Sequence, residues 1–168
     1  MIKNFVKGKT AVFIDASNIY FSQRELNWQV DFVRLMKYLK KEVKIWHVFF
    51  YTAFDPNHKK QKKFIDFLKI VGYIVRTKKV KFIKSKNGTG FHKGNLDVEL
   101  TIDAIHNKRE FDSFLLFSGD SDFEALVKYL KKYHKRCLIF STKNHVSIEL
   151  IKQSKFVDIK KLKRFICK

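Results

Sequence analysis

The chain has 168 residues with 45% hydrophobic and 15% aromatic content, which suits one domain of ordinary size with a sizeable core. Its 36 Lys and Arg against 16 Asp and Glu give a formal net charge of +20, which favours a polyanionic partner such as nucleic acid, or an anionic membrane surface. Two cysteines, Cys137 and Cys167, with no Cys-x-x-Cys or His-x-x-x-His pair, exclude a disulfide framework and a zinc site.

Apolar runs with strand character alternate with helical periodicity, the pattern that builds a parallel sheet covered on both faces. The first strand is predicted over about 10–14. A helix follows from about Asp31, with Phe32, Leu35, Met36 and Leu39 at i, i+3, i+4 and i+7. Residues 43–51 read as the second strand. Phe64, Phe67, Leu68 and Val71 mark the next helix, which Gly72 is placed to end, and residues 73–77 a third strand. From Lys78 to Lys93, Val80, Phe82 and Ile83 lie among lysines ahead of Asn87-Gly88-Thr89-Gly90, which predicts an extra edge strand and a mobile basic loop.

A helix over about 95–107 carries Asp97, Glu99 and Asp103, and a strand over 113–117 ends in a second acidic cluster. Phe123, Leu126, Val127 and Leu130 then share a helical face. Residues 136–140 are the last clear strand and 147–154 the last helix. No repeat or linker divides the chain, so one domain over 1–168 is expected. Residues 1–9 lack the apolar core of a signal peptide, and no later run approaches the ~18–20 apolar residues needed to cross a bilayer. The reading is a reduced, soluble, cytoplasmic protein with no membrane partner. The oligomeric state stays open, a homodimer being compatible with the sequence.

Total charge is a weaker signal than its placement. Only six basic residues are Arg, Pro occurs once and Phe eighteen times, a usage that an A/T-rich genome also tends to encode. What stands out is where the acids fall. Asp15 follows Ala11-Val12-Phe13-Ile14, and Asp120 and Asp122 lie in Ser118-Gly119-Asp120-Ser121-Asp122-Phe123, directly after Phe114-Leu115-Leu116-Phe117. In an open α/β sheet, ligands are held at the carboxyl ends of the strands.

Each cluster also has a purely structural reading. Ser121 and Glu124 fit the Ser-x-x-Glu capping box, and Asp15 with Asn18 three residues on can close a strand with an Asx-type turn. Combination favours chemistry: Asp15, Asp120 and Asp122 all end core strands, and Asp97 begins a helix. If the strands of Asp15 and Asp120 are neighbours, the carboxylates converge, and unless a cation neutralises them they must take up protons. The oxygen-only donor set suits Mg²⁺ or Mn²⁺. The six histidines are scattered and read as surface or core residues.

Asp15-x-x-Asn18, Lys93-Gly94-Asn95-Leu96-Asp97 with Asp103, and the Ser118-to-Phe123 block together resemble the NYN domain in its LabA/DUF88-like branch, part of the PIN-like nuclease superfamily. The resemblance runs from about Thr10 to Leu162, its serine-glycine-aspartate block being the most specific motif. It implies a Rossmann-like three-layer α/β/α sandwich with a mainly parallel sheet in the order 3-2-1-4-5. It also implies metal-dependent hydrolysis of RNA, an endoribonuclease activity.

On that reading Asp15, Asp97 and Asp120 hold one or two Mg²⁺ or Mn²⁺ ions, with Asp122 a further ligand or an acceptor for water. Asn18 and Ser118 orient ligands or substrate. Asp103 is a supporting residue, since six helical residues place it about 120° round the axis from Asp97. Lys93 is the leading candidate for gripping phosphate, followed by Lys84 and Lys86. Lys59, Lys60, Lys62 and Lys63 read as a solvated helix face.

Two other readings stand beside this one. A catalytically weak RNA-binding or regulatory module of the same fold uses the same surface. A nucleotide-binding Rossmann-like protein is disfavoured, because no Gly-x-Gly-x-x-Gly or Walker loop follows the first strand.

Overall fold

The structure is a computed structural model that describes residues 2–84 and 90–168, with 81–84 and 90–93 as backbone. Strand β1 (Lys9–Asp15) is followed by helices α1 (Ala16–Leu26) and α2 (Phe32–Glu42), then β2 (Lys44–Phe54), α3 (Lys59–Val71) and β3 (Ile74–Lys79). A ribbon of β4 (Lys81–Lys84) and β5 (Gly90–Lys93) leads to α4 (Asp97–His106) and β6 (Ser113–Phe117). The chain closes with α5 (Glu124–Lys132), β7 (Arg136–Ser141), α6 (Ile148–Gln153), β8 (Lys155–Asp158) and α7 (Lys163–Ile166).

Both faces of β1 are buried, as a central parallel strand requires. Val12 and Ile14 join one core cluster, with Leu35, Leu39, Leu68, Leu162 and Ile166. Ala11 and Phe13 join the other, with Leu100, Ala104, Leu126, Leu130 and Leu150. Helices α1, α2, α3 and α7 therefore cover one face and α4, α5 and α6 the opposite one, giving three layers. Aromatic stacking spans the strands between them: Phe13 lies 4.9 Å from Phe49 and 5.0 Å from Phe114, and Phe117 lies 4.4 Å from Phe140. Each such pair adds about 0.5–1.5 kcal/mol beyond its buried area.

The main sheet is six-stranded and parallel, in the order β3-β2-β1-β6-β7-β8. This is the expected 3-2-1-4-5 arrangement extended by a sixth strand. Winding runs outward from β1 through β2 and β3, then restarts on its other side at β6. Because parallel crossovers are right-handed, that reversal sends the helices of the two halves to opposite faces. It opens a crevice at the carboxyl ends of β1 and β6. The register Ile14 with Phe117 sets Asp15 and Ser118 side by side at its mouth.

Three local expectations change. Helix α1 lies in a stretch with no predicted element, because its apolar residues Tyr20 and Phe21 face solvent while Ser22 and Asn18 are buried. Strand β8 is too short to carry a signal, its inward residue being Val157. Lys78 and Lys79 end β3, the edge strand of the main sheet, but the rest of the basic stretch adds no further strand to it: β4 and β5 pair antiparallel as a separate ribbon, and the centre of the expected mobile loop lies outside the described residues. Gly72 ends α3 as expected, at φ 107°. No helix among the described residues is long and apolar enough to cross a membrane.

Candidate active site

Asp15 is the last residue of β1 and caps α1, its Oδ1 accepting from the Ser17 N–H at 2.9 Å. The turn role anticipated for it is therefore present, and it leaves Oδ2 facing Ser118. The Ser118 hydroxyl, fully buried after β6, donates to that oxygen at 3.1 Å and accepts from the Asp120 N–H at 3.3 Å.

Asp120 in turn accepts from the Asp122 N–H at 3.0 Å. The capping box expected from Ser121 and Glu124 does not form: Asp120 caps the short 3-10 turn over Ser121–Phe123, and Glu124 pairs with Lys128 at 2.9 Å. The turn is so tight that a side chain at Gly119 has no room. A Cβ there would lie 1.8 Å from the His145 carbonyl oxygen.

Asp97 enters from the opposite wall, at the first turn of α4. Asn95 holds it in place, its Oδ1 accepting from the Asp97 N–H at 2.7 Å and its Nδ2 donating to Asp97 Oδ2. Asp97, Asp120 and Asp122 each present an oxygen within 4.8 Å of the others. Asp15, Asp97 and Asp120 line one cleft of about 500 Å³ with Ser17, Tyr51 and Asn95, while Asp122 stands on its exposed rim.

The electrostatics are those of crowded, partly buried acids. Burial lifts the Asp15 carboxyl above the ordinary carboxylate value, against the Ser118 hydrogen bond and the Ser17 N–H, with the Asp97 charge adding to the rise. Burial also raises Asp97, opposed by Asn95 and reinforced by the charges of Asp120, Asp122 and Glu99. Among the described residues no Lys or Arg forms an ion pair with Asp97, Asp120 or Asp122. Three converging carboxylate oxygens, with no thiol or imidazole in the group, fit a hard divalent cation.

The other expected residues fall around this group. Asn18 is buried; its Oδ1 accepts from Ser141 on β7 at 3.1 Å, tying α1 to the sheet, and its backbone N–H acts on Asp15. Asp103 is set apart from Asp97, as its helical angle predicts. It accepts from Tyr51 Oη at 2.9 Å and pairs with Arg76 Nε at 2.9 Å. Lys84 and Lys93 stand on the two strands of the ribbon, and Lys86 lies outside the described residues.

Two residues that line the cleft, Tyr51 and Asn95, and Arg76, the ion-pair partner of Asp103, were not singled out as site residues in the sequence. Tyr51 reads there as core, and Arg76 as one more cation. Asn95 sits inside the Lys93-to-Asp97 motif, two residues before Asp97, the spacing of an Asx turn. Lys78 completes the wall, pairing with Glu99 at 2.7 Å and donating to the Asn95 carbonyl at 3.2 Å. Cys137 is no nucleophile, since burial pushes its thiol up to about 12.

A doubly wound parallel sheet with carboxylates gathered at its switch point defines a Rossmann-like domain with a candidate metal centre. The NYN domain family matches residues 9–160, and the chain belongs to that family, within the PIN-like nuclease superfamily. It is 32% identical over 168 residues to the "Low amplitude and bright protein LabA" of Synechococcus elongatus, a match covering 96% of this chain and 89% of that protein. The crystal structure of a protein of unknown function from Vibrio parahaemolyticus superposes with a TM-score of 0.77 at 29% identity. That match covers 91% of this chain and 93% of the other.

Proposed function

We propose that this protein is a metal-dependent ribonuclease that hydrolyses RNA phosphodiester bonds at the aspartate cluster. The observation that carries the reading is the convergence of Asp97, Asp120 and Asp122 from α4 and the post-β6 turn, beside Asp15 in the same cleft. Family membership supports RNA as substrate. Asp15, Asp97 and Asp120 would hold one or two Mg²⁺ or Mn²⁺ ions, with Asp122 on the rim as a further ligand or a hydrogen-bond acceptor for water.

A bound divalent ion supplies Lewis-acid activation of water and neutralises charge on the reacting phosphate. The protein's own contribution is placement. Ser118 fixes Asp15 and the Asp120 backbone with one hydroxyl, Asn95 fixes Asp97, and Asn18 braces α1 behind Asp15. Without a cation the grouped carboxylates repel a phosphodiester locally, so bound metal tightens a hold on RNA that the surrounding basic residues already supply. Lys84, Lys86 and Lys93 hold the phosphate backbone beside the cleft.

The test is incubation of labelled structured and single-stranded RNA with the protein in Mg²⁺, Mn²⁺ or EDTA, beside Asp120→Asn. Cleavage should need the metal and fall by about 100-fold or more in the variant. Cleavage that persists in EDTA and in Asp120→Asn overturns the metal reading. Binding without cleavage makes the protein an RNA-binding module of the same fold.

A further inference from the structure

The outward face of α1 carries a feature that the aspartate chemistry does not use. Tyr20 and Phe21 are 55% and 50% exposed, an uncommon state for two neighbouring aromatics. They are ordered against each other, with ring centroids 5.5 Å apart in an edge-to-face contact. The Arg24 guanidinium lies 5.8 Å from the Tyr20 ring centre, and the His145 ring lies 6.4 Å from that of Phe21.

Their position relative to the acids is set by helical spacing. Ser17 lines the cleft and donates its N–H to Asp15. Tyr20 and Phe21 are its i+3 and i+4 neighbours, and Arg24 continues the same line. Phe21 thus lies about 6 Å along the helix axis from the cleft-lining Ser17, a rise of one or two nucleotides at the ~3.4 Å spacing of bases in a stacked strand.

The face is also rigid. Glu25 accepts from Thr142 Oγ1 at 2.9 Å and Asn144 Nδ2 at 2.8 Å, and pairs with His145 Nε2 at 3.1 Å. These contacts clamp the loop after β7 onto α1 and set His145 against Phe21. The same loop backs the Asp120 turn, the Ser147 N–H donating to the Gly119 carbonyl at 2.9 Å.

We infer that Tyr20 and Phe21, flanked by Arg24, form a stacking platform for unpaired bases of a single-stranded RNA whose backbone enters the aspartate cleft. The inference rests on the ribonuclease reading for the position of the scissile phosphate. Charge complementarity selects the occupant, since a +20 chain with the Arg24 guanidinium against the aromatic pair matches an anionic strand that offers π-faces. Bases inside a duplex are already stacked on each other, so the platform selects unpaired strands.

The test is fluorescence anisotropy in EDTA with a short labelled single-stranded RNA and with the same strand carrying abasic sites. Tyr20→Ala and Phe21→Ala should each weaken binding of the intact strand by about fivefold or more. They should change binding of the abasic strand by less than about twofold, and Phe21→Trp should keep full affinity. Equal loss on both strands, or no loss on the intact one, overturns the inference. So does a wild-type dimer that Phe21→Ala dissociates in sedimentation, which would assign the face to a second copy. Binding is read without metal, so absent cleavage in Mn²⁺ would remove the nuclease reading and leave base stacking intact. Base-independent binding beside metal-dependent cleavage would do the reverse.

Discussion

Ser118 donates its hydroxyl hydrogen to Asp15 Oδ2 at 3.1 Å across the junction of β1 and β6. Ser118 Oγ also accepts from the Asp120 N–H at 3.3 Å, so one buried side chain sets the separation of two acidic elements that are far apart in sequence. Removing it leaves a part-buried carboxylate oxygen short of a donor, which costs more than an ordinary exposed hydrogen bond.

Ser118→Ala should lower stability by about 1–2 kcal/mol, read as a drop in thermal midpoint of roughly 2–8 °C. The Asp15 carboxyl should rise further, because the hydroxyl that lowers it is gone. Mn²⁺ binding should then weaken on acidification by a larger factor than in the wild type, read by titration across a pH series. An unchanged pH dependence would remove Ser118 from the site.

Asp97→Asn makes a second case, in which stability and the proposed activity separate. Burial, helped by Asp120 and Asp122, raises Asp97 above its ordinary value. The folded protein therefore binds more protons than the unfolded chain between that value and the raised one, and stability falls as pH rises through the window. In EDTA at neutral pH the variant should melt about 1–3 °C above wild type, solvent at the open cleft keeping the gain small. The gap should close as the pH drops towards 4 and reverse on adding Mn²⁺. Scanning calorimetry across pH, with and without Mn²⁺, measures both effects.

Asp103 and Asp97 lie on the same helix with different partners. Asp103→Asn keeps an acceptor for Tyr51 and loses the ion pair with Arg76. Its Mn²⁺ affinity should stay within about twofold of wild type, whereas Asp97→Asn should lose about tenfold or more. Calorimetric titration of the two variants side by side distinguishes a wall residue from a ligand; matching losses would place Asp103 in the metal group.

Gly119→Ala asks whether the tight turn is required. Its Cβ would fall 1.8 Å from the His145 carbonyl and 2.8 Å from Ser141 Oγ, so backbone must move. A destabilisation of about 1–3 kcal/mol is expected from the overlap, with a larger loss of RNA cleavage because Asp120 and Asp122 move with the turn. Urea denaturation alongside the cleavage assay reads the two effects, and a variant with wild-type midpoint and rate would show that the turn yields without cost.

What could be read from residue order was whatever repeats locally. Apolar runs such as Ala11–Ile14 and Phe114–Phe117 mark buried parallel strands because both of their faces need cover, and Phe32, Leu35, Met36 and Leu39 declare a helix by period. The acids after those runs were legible for the same reason. Helix α1 was not, since its exposed aromatics break the amphipathic pattern in the stretch where the proposed stacking platform lies. Strand β8 was too short to register, and the ribbon of β4 and β5 depends on a pairing between two lysine-rich stretches that no local period encodes.

By itself, then, the sequence determined the α/β class, the family motifs and the identities of Asp15, Asp97, Asp120 and Asp122. Tertiary structure alone decided that Asp97 meets Asp120 and Asp122 within 4.8 Å, that Asn18 turns to Ser141, and that Asp103 serves Tyr51 and Arg76. The physical reason is that convergence depends on strand order and register: a site at the point where winding reverses is assembled from the ends of β1 and β6 and the start of α4, whose spacing along the chain says nothing of their distance in space.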